Sequence, residues 1–175
     1  MGGGFEQYMI DIYNFYYNTA FMSFSESIWT LLLGLLYLPI AILIHELGHA
    51  LFGTLVKVKI TEVSVGTGQS LFQYGRFRVR RNLLKGYFKY DASNPLTTYQ
   101  SILLALGGII ANLVTATAVW ILGDIAYADW YRPFILVSYS MAVVNLFPFK
   151  MKRESELYDS DGLMVFKSIK YAMKR

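Results

Sequence analysis

Residues 29–56 read WTLLLGLLYLPIAILIHELGHALFGTLV, and this stretch decides the fold. Apart from Thr30, Thr54 and the group His45, Glu46 and His49, it is apolar throughout. It exceeds the roughly 20 residues a helix needs to cross the hydrocarbon of a bilayer. The sequence therefore predicts a transmembrane helix with ionisable groups inside it. A charged side chain near the centre of such a helix costs about 2.5–3.5 kcal/mol, and such groups mark function more often than structure. His45-Glu46-Leu47-Gly48-His49 is an HExxH pattern. On a helix it sets both imidazoles one turn apart on one face, where they can share a zinc ion, with Glu46 placed to take a proton from a metal-activated water. The competing reading, a structural salt-bridge cluster, leaves nothing to stabilise the group in lipid.

Working outward, residues 1–28 are rich in Tyr and Phe and include Glu6, Asp11 and Glu26. That composition suits a segment at the headgroup level. Residues 57–99 alternate apolar and polar through Thr61-Glu62-Val63-Ser64-Val65 and Arg76-Phe77-Arg78-Val79-Arg80, with Gly66, Gly68 and Gly75 between. Period-two alternation broken by glycine predicts short strands and hairpins. Apolar blocks at 101–122 and 131–149 predict a second and a third transmembrane helix. Beyond Asn145-Leu146-Phe147-Pro148, residues 150–175 form a charged loop that leads to Asp161-Gly162 and a short amphipathic stretch, Leu163 to Met173. The expected architecture is a single domain over 1–175: mainly α, polytopic in the membrane, with a β-rich basic insertion between the first two spans.

Charge orients the spans. Lys57, Lys59, Arg76, Arg78, Arg80, Arg81, Lys85 and Lys89 lie in the first loop, and seven more Lys and Arg follow Phe149. None precedes Trp29, and Arg132 stands alone between the second and third blocks. By the positive-inside rule the amino terminus is outside, and the basic loop and carboxyl terminus are cytoplasmic.

A catalytic zinc needs a third protein ligand and an open position. With no cysteine and no histidine besides the two in the motif, that ligand must be a carboxylate. The same absence excludes disulfides, iron–sulfur clusters and thiol catalysis. Asp124 and Asp129 fall on the outer side, whereas His49 lies roughly 10 Å from the inner end of its helix at 1.5 Å per residue. Glu62 and Asp91 sit in the basic loop. Asp161, after the Pro148 break and before Gly162, is placed where the chain can turn back and restart a helix, and Asp159 competes with it.

Composition narrows the class further. Hydrophobic residues make up 55% and charged residues 16%, against a net charge of +4. A soluble domain carries roughly 25% charged residues. The cations lie beside apolar spans, so they orient the chain in a bilayer and do not indicate nucleic acid. Glu6 stands where a myristoylation signal needs Ser or Thr, and the acidic, aromatic start does not read as a cleavable signal peptide.

These patterns resemble the site-2 protease family of membrane-embedded zinc proteases. The resemblance rests on the HExxH at 45–49, Gly107-Gly108-Ile109-Ile110-Ala111-Asn112 in the second span, and Asn145-Leu146-Phe147-Pro148 followed by Asp161-Gly162. Lys85-Gly86-Tyr87-Phe88 also resembles the family's Gly-Gly-Tyr-Val stretch. The resemblance implies that Asp161 is the third zinc ligand and that Asn145 helps hold the substrate carbonyl or the oxyanion. It implies a minimal three-helix core, without the PDZ domain of some relatives, in a prokaryotic plasma membrane. Ser160 stands where the family usually has Leu, Ile109 where it has Pro, and Lys85 where it has Gly.

The expected activity is hydrolysis of peptide bonds in or near transmembrane segments of membrane-protein substrates, with room for a regulatory membrane partner. Strands of residues 57–80 can hold an extended substrate at their edge, or simply pack on the inner rim. Asn112 and Asn145 can line a polar cavity, and Asn112 can equally serve as a hydrogen bond between helices. The alternative function is a non-proteolytic membrane binding or regulatory protein that keeps the scaffold and a structural zinc.

Overall fold

A computed structural model describes residues 6–7, 9–10, 13–14, 24–91, 93–153 and 156–174. The expected interfacial segment at 1–28 falls largely outside them. Helix α1 spans Phe24–Leu55, starting five residues earlier than the apolar pattern predicts because Ser25, Glu26 and Ser27 continue the helix instead of preceding it. It stops where Lys57 takes a left-handed φ of 60° and the Val58 N–H closes on the Gly53 carbonyl at 2.8 Å. That bond satisfies a carbonyl the helix end would otherwise orphan.

Helix α2, Thr98–Leu122, starts at a capping box in which Thr97 accepts from the Gln100 N–H and the Gln100 side chain reaches back to the Thr97 N–H. A 3₁₀ turn, Ile125–Tyr127, leads into helix α3, Ala128–Leu146. The expected end at 149 is too late: Phe147 is already extended, because the ring of Pro148 disfavours a helical residue before it. The loop expected after α3 contains a second hairpin, β3 (Lys150–Arg153) with β4 (Glu156–Asp159). Helix α4, Asp161–Ala172, closes the described chain.

The basic insertion folds as β1 (Ile60–Tyr74) and β2 (Phe77–Tyr90), longer than the short strands expected. Its register shows that the hairpin folds back on itself. Val63 faces both Phe88 and Phe77, Ser64 both Tyr87 and Arg78, and Val65 both Gly86 and Val79. The first part of β1 thus runs between two segments of β2, and both of its edges are taken. Gly66, at φ 94°, makes the bend possible, since a Cβ there would also strike the Arg80 carbonyl.

α1 and α2 cross closely at Gly48 and Gly107, where a Cβ on either would collide with the carbonyl of the other. Small residues at such a crossing let helix backbones approach. α1 buries Leu33, Ala41, Ile42, His45, Glu46 and His49. Its opposite surface exposes Leu31, Leu32, Leu35, Leu36, Leu47, Leu51 and Leu55. A helix with ionisable groups inside and leucines outside is inverted for water and matches lipid.

α1 and α2 are each long and apolar enough to cross a membrane, and only 17% of the most apolar 18-residue window of α1 is buried, whereas the core helix of a soluble protein is mostly buried. α3 is shorter and more polar, and packs against both. Trp29 and Trp130 meet edge to face, with centroids 5.6 Å apart, at the end of the bundle where Arg132 is the one cation among the described residues. That is where an aromatic belt belongs.

Candidate metal centre

The one-turn spacing in α1 brings the two imidazoles together with ring centroids 4.6 Å apart and planes at 87°. The first residue of α4 meets them there. His45 Nε2 lies 3.0 Å from Asp161 Oδ2 and 3.1 Å from His49 Nε2, and His49 Nε2 lies 3.4 Å from the same carboxylate oxygen. All three residues are buried. Among the described residues they are the one cluster of His, Asp and Glu whose ligand atoms converge in this way.

Two histidines and a carboxylate make the kind of three-ligand set that catalytic zinc uses. Ligands at 2.0–2.2 Å in a tetrahedral arrangement stand about 3.3–3.6 Å apart, close to the separations found. Tautomer chemistry points the same way. The His49 Nδ1 lies 2.7 Å from the Leu104 carbonyl and must donate to it, so the neutral ring turns a bare Nε2 lone pair toward His45 and Asp161. A divalent cation suits that concentration of lone pairs, so the residues present fit a zinc ion.

The surroundings leave little spare volume. Gly108 of α2 faces the imidazoles so closely that a Cβ would lie 2.5 Å from His49 Nε2 and 2.7 Å from His45 Nε2. On the other side β2 covers the motif. A Cβ on Gly86 would lie 2.7 Å from Glu46 Oε1, and the Phe88 ring stacks on His49 with centroids 4.6 Å apart. The Lys85-Gly86-Tyr87-Phe88 stretch therefore roofs both Glu46 and one imidazole, with glycine where the strand must touch the carboxylate.

Asp161 is delivered by a tight closure between α3 and α4. Ser160 is fully buried, and its hydroxyl donates to the Phe147 carbonyl at 2.7 Å while accepting from the N–H groups of Phe149 and Leu163. It caps α4 and ties that helix to the end of α3. Gly162 packs on the Leu146 carbonyl with no room for a Cβ. Asp159 turns away and pairs with Lys167.

Three other carboxylates weighed as ligands are engaged elsewhere. Asp91 pairs with Lys59, Asp124 caps the 3₁₀ turn, and Asp129 pairs with Arg132. Asn145 lies in the last turn of α3 with its amide donating to the Met141 carbonyl at 2.9 Å, and that bond points it along its own helix. Asn112, fully buried, instead reaches His45 Nδ1 at 3.4 Å.

On the face of the sheet away from the helices, Glu62 accepts from Arg80 at 2.8 Å and from Tyr87 at 3.0 Å, with Arg78 and Lys89 near its other oxygen. Burial alone would raise the Glu62 pKa, but these donors and cations outweigh it and hold the carboxyl below its ordinary value. Residue spacing alone does not point to Ser160, Gly108 or Phe88. For Ser160 and Gly108 a signal existed: a serine just before a helix start, and a glycine one turn from Asn112. Phe88 is marked only by the resemblance of Lys85-Gly86-Tyr87-Phe88 to the family's Gly-Gly-Tyr-Val stretch.

The sequence profile of peptidase family M50 matches residues 33–129, more than half of the chain, including the HExxH motif, the β1–β2 hairpin and α2. A protein of Borreliella burgdorferi named "Putative zinc metalloprotease" is 29% identical over 127 residues, covering 57% of this chain and 29% of that protein. This chain thus spans less than a third of that relative's length. "Uncharacterized membrane protein YwmF" of Bacillus subtilis is 26% identical over 141 residues, covering 78% of this chain and 86% of that protein. With its apolar helices and its buried HExxH, the chain belongs to peptidase family M50, the site-2 protease family of metalloproteases.

Proposed function

We propose that this chain is a membrane-embedded zinc endopeptidase that cleaves peptide bonds in or near transmembrane segments of membrane-protein substrates. The observation that carries the reading is the convergence of His45, His49 and Asp161 on one point beside the buried Glu46. His45 Nε2, His49 Nε2 and a carboxylate oxygen of Asp161 would hold the ion. A zinc ion bound there supplies Lewis acidity, which makes water nucleophilic near neutral pH and polarises the scissile carbonyl.

The rest is done by the chain. Glu46 takes the proton from the attacking water and passes it to the leaving amine. The roof of β2 keeps lipid and bulk water away from that carboxylate. A peptide bond inside a helix is hidden by its own hydrogen bonds, so a substrate must be extended before it can react. Val63–Val65 are paired on both sides, so within the hairpin the outer edge of Gly86–Tyr90, the segment that borders the metal centre, is the edge best placed for strand addition. Asn145 can steady the substrate carbonyl only after its amide leaves Met141. The cations of the hairpin and of α4 favour a cytoplasmic carboxyl terminus and an amino terminus outside, with α3 as the third span.

Comparing membrane proteomes of cells that carry the wild type with those that carry Glu46→Gln tests the proposal. A protease leaves an uncleaved substrate that accumulates only in the variant. Identical proteomes would favour a non-proteolytic scaffold.

A further inference from the structure

Each histidine of the centre has a second ring nitrogen, and α2 meets both. His49 Nδ1 donates to the Leu104 carbonyl, which fixes its tautomer and leaves Nε2 for the ion. Among the described residues, the hydrogen-bond partner of His45 Nδ1 is a side chain and not a backbone carbonyl. That nitrogen faces the side-chain amide of Asn112, 3.4 Å away and fully buried, one turn beyond Gly108, the glycine that makes room for the rings. The amide nitrogen faces the ring, and Oδ1 is buried without a partner among the described residues. Rotating the amide by half a turn exchanges its ends at almost no change in volume. One end lacks a protein partner in either orientation, so that end does not choose between them.

His45 chooses. If its Nε2 holds a metal, its proton resides on Nδ1, and only an acceptor can face that proton. We propose that Asn112 is a positioning residue whose side-chain oxygen accepts from the Nδ1–H of His45, fixing the tautomer and ring orientation that present Nε2 to zinc. The inference rests on the zinc reading above. It assigns α2 a matched pair of supports, a backbone carbonyl for one ligand and a side-chain carbonyl for the other. A hydrogen bond that merely joined α1 to α2 would be indifferent to which end of the amide faces the ring.

The test uses purified full-length protein and zinc alone as the probe. Asn112→Leu keeps the volume and removes the acceptor, and zinc affinity in chelator competition should fall about 10–100-fold, the usual cost of losing such a partner. Asn112→Asp keeps an acceptor and should bind zinc at least as tightly as the wild type. With only two histidines in the chain, nitrogen-15 labelling of histidine gives a simple readout. Zinc-loaded wild type and Asn112→Asp should show two exchange-protected Nδ1–H groups, and Asn112→Leu should keep the one assigned to His49 alone. The proposal is overturned if Asn112→Leu binds zinc as the wild type does, if Asn112→Asp loses zinc, or if zinc-loaded wild type carries the His45 proton on Nε2. The wild-type spectrum decides even where Asn112→Leu does not fold. A wild type that holds no zinc removes the zinc reading itself, and this inference with it.

Discussion

Gly108→Ala offers a sharp perturbation of the centre because the helix and the metal site respond to it in opposite directions. A Cβ at 108 would stand 2.5 Å from His49 Nε2, whereas ordinary contact begins at 3.4 Å. The imidazole or α2 must therefore move by about 0.9 Å, several times the roughly 0.2 Å tolerance of a metal–ligand distance. Overpacking of this kind costs about 1–3 kcal/mol, or about 5–150-fold in an equilibrium constant. Within a helix, alanine in place of glycine is otherwise worth up to about 1 kcal/mol in its favour. Thermal stability of the metal-free protein should therefore fall by no more than about 2 kcal/mol, while zinc affinity in chelator competition falls by at least about fivefold. Gly34→Ala is the control, since a Cβ there meets Val137 at an ordinary 3.4 Å. If both variants bind zinc within twofold of the wild type, the close approach of α2 to the histidines is refuted.

Further outcomes follow from the same geometry. Glu46→Gln should keep zinc and lose about 10²–10⁴-fold in cleavage rate, measured on a reconstituted substrate. Asp161→Ala should lower zinc affinity by more than about 100-fold, since even an outer partner is worth up to that much, while Asp159→Ala should leave it unchanged. Glu62 is held below its ordinary value of 4.5, so the stability it contributes is present above that pH and fades as pH falls through the depressed folded value. Thermal melts of wild type in detergent should weaken on acidification below about pH 4.5 more than those of Glu62→Gln, and parallel curves would contradict the network. Gly86→Ala should reduce cleavage without reducing zinc binding, because its methyl meets Glu46 and Ile42 and not the histidines.

What the sequence revealed follows the range of the interactions involved. The histidine pair was legible because a one-turn spacing on a helix is local, and its lipid setting was legible because leucines surround it. Asp161 and Asp159 were not separable by spacing, since they flank the same serine. What separates them is the burial of Ser160 and the pairing of Asp159 with Lys167. Alternation announced the strands of the basic insertion, and Gly66 announced a bend. That β1 would be enclosed by two segments of β2 depends on pairs far apart in the chain, such as Val63 with Phe88. The contact of Gly86 with Glu46 lies beyond local patterns for the same reason. Asn112 stood out as a polar residue in an apolar span, yet its partner could be named only once α1 and α2 were packed.

The central claim is that the lipid-buried histidines are tolerated because they and Asp161 grip one metal ion. Elemental analysis with zinc X-ray absorption on protein purified without chelators measures this directly. Stoichiometric zinc with two nitrogens at about 2.0–2.1 Å and a carboxylate oxygen at about 2.0–2.2 Å is predicted, lost when His45 and Asp161 are both replaced by Ala. Wild type without zinc, or the same zinc signal in that double variant, would contradict the account.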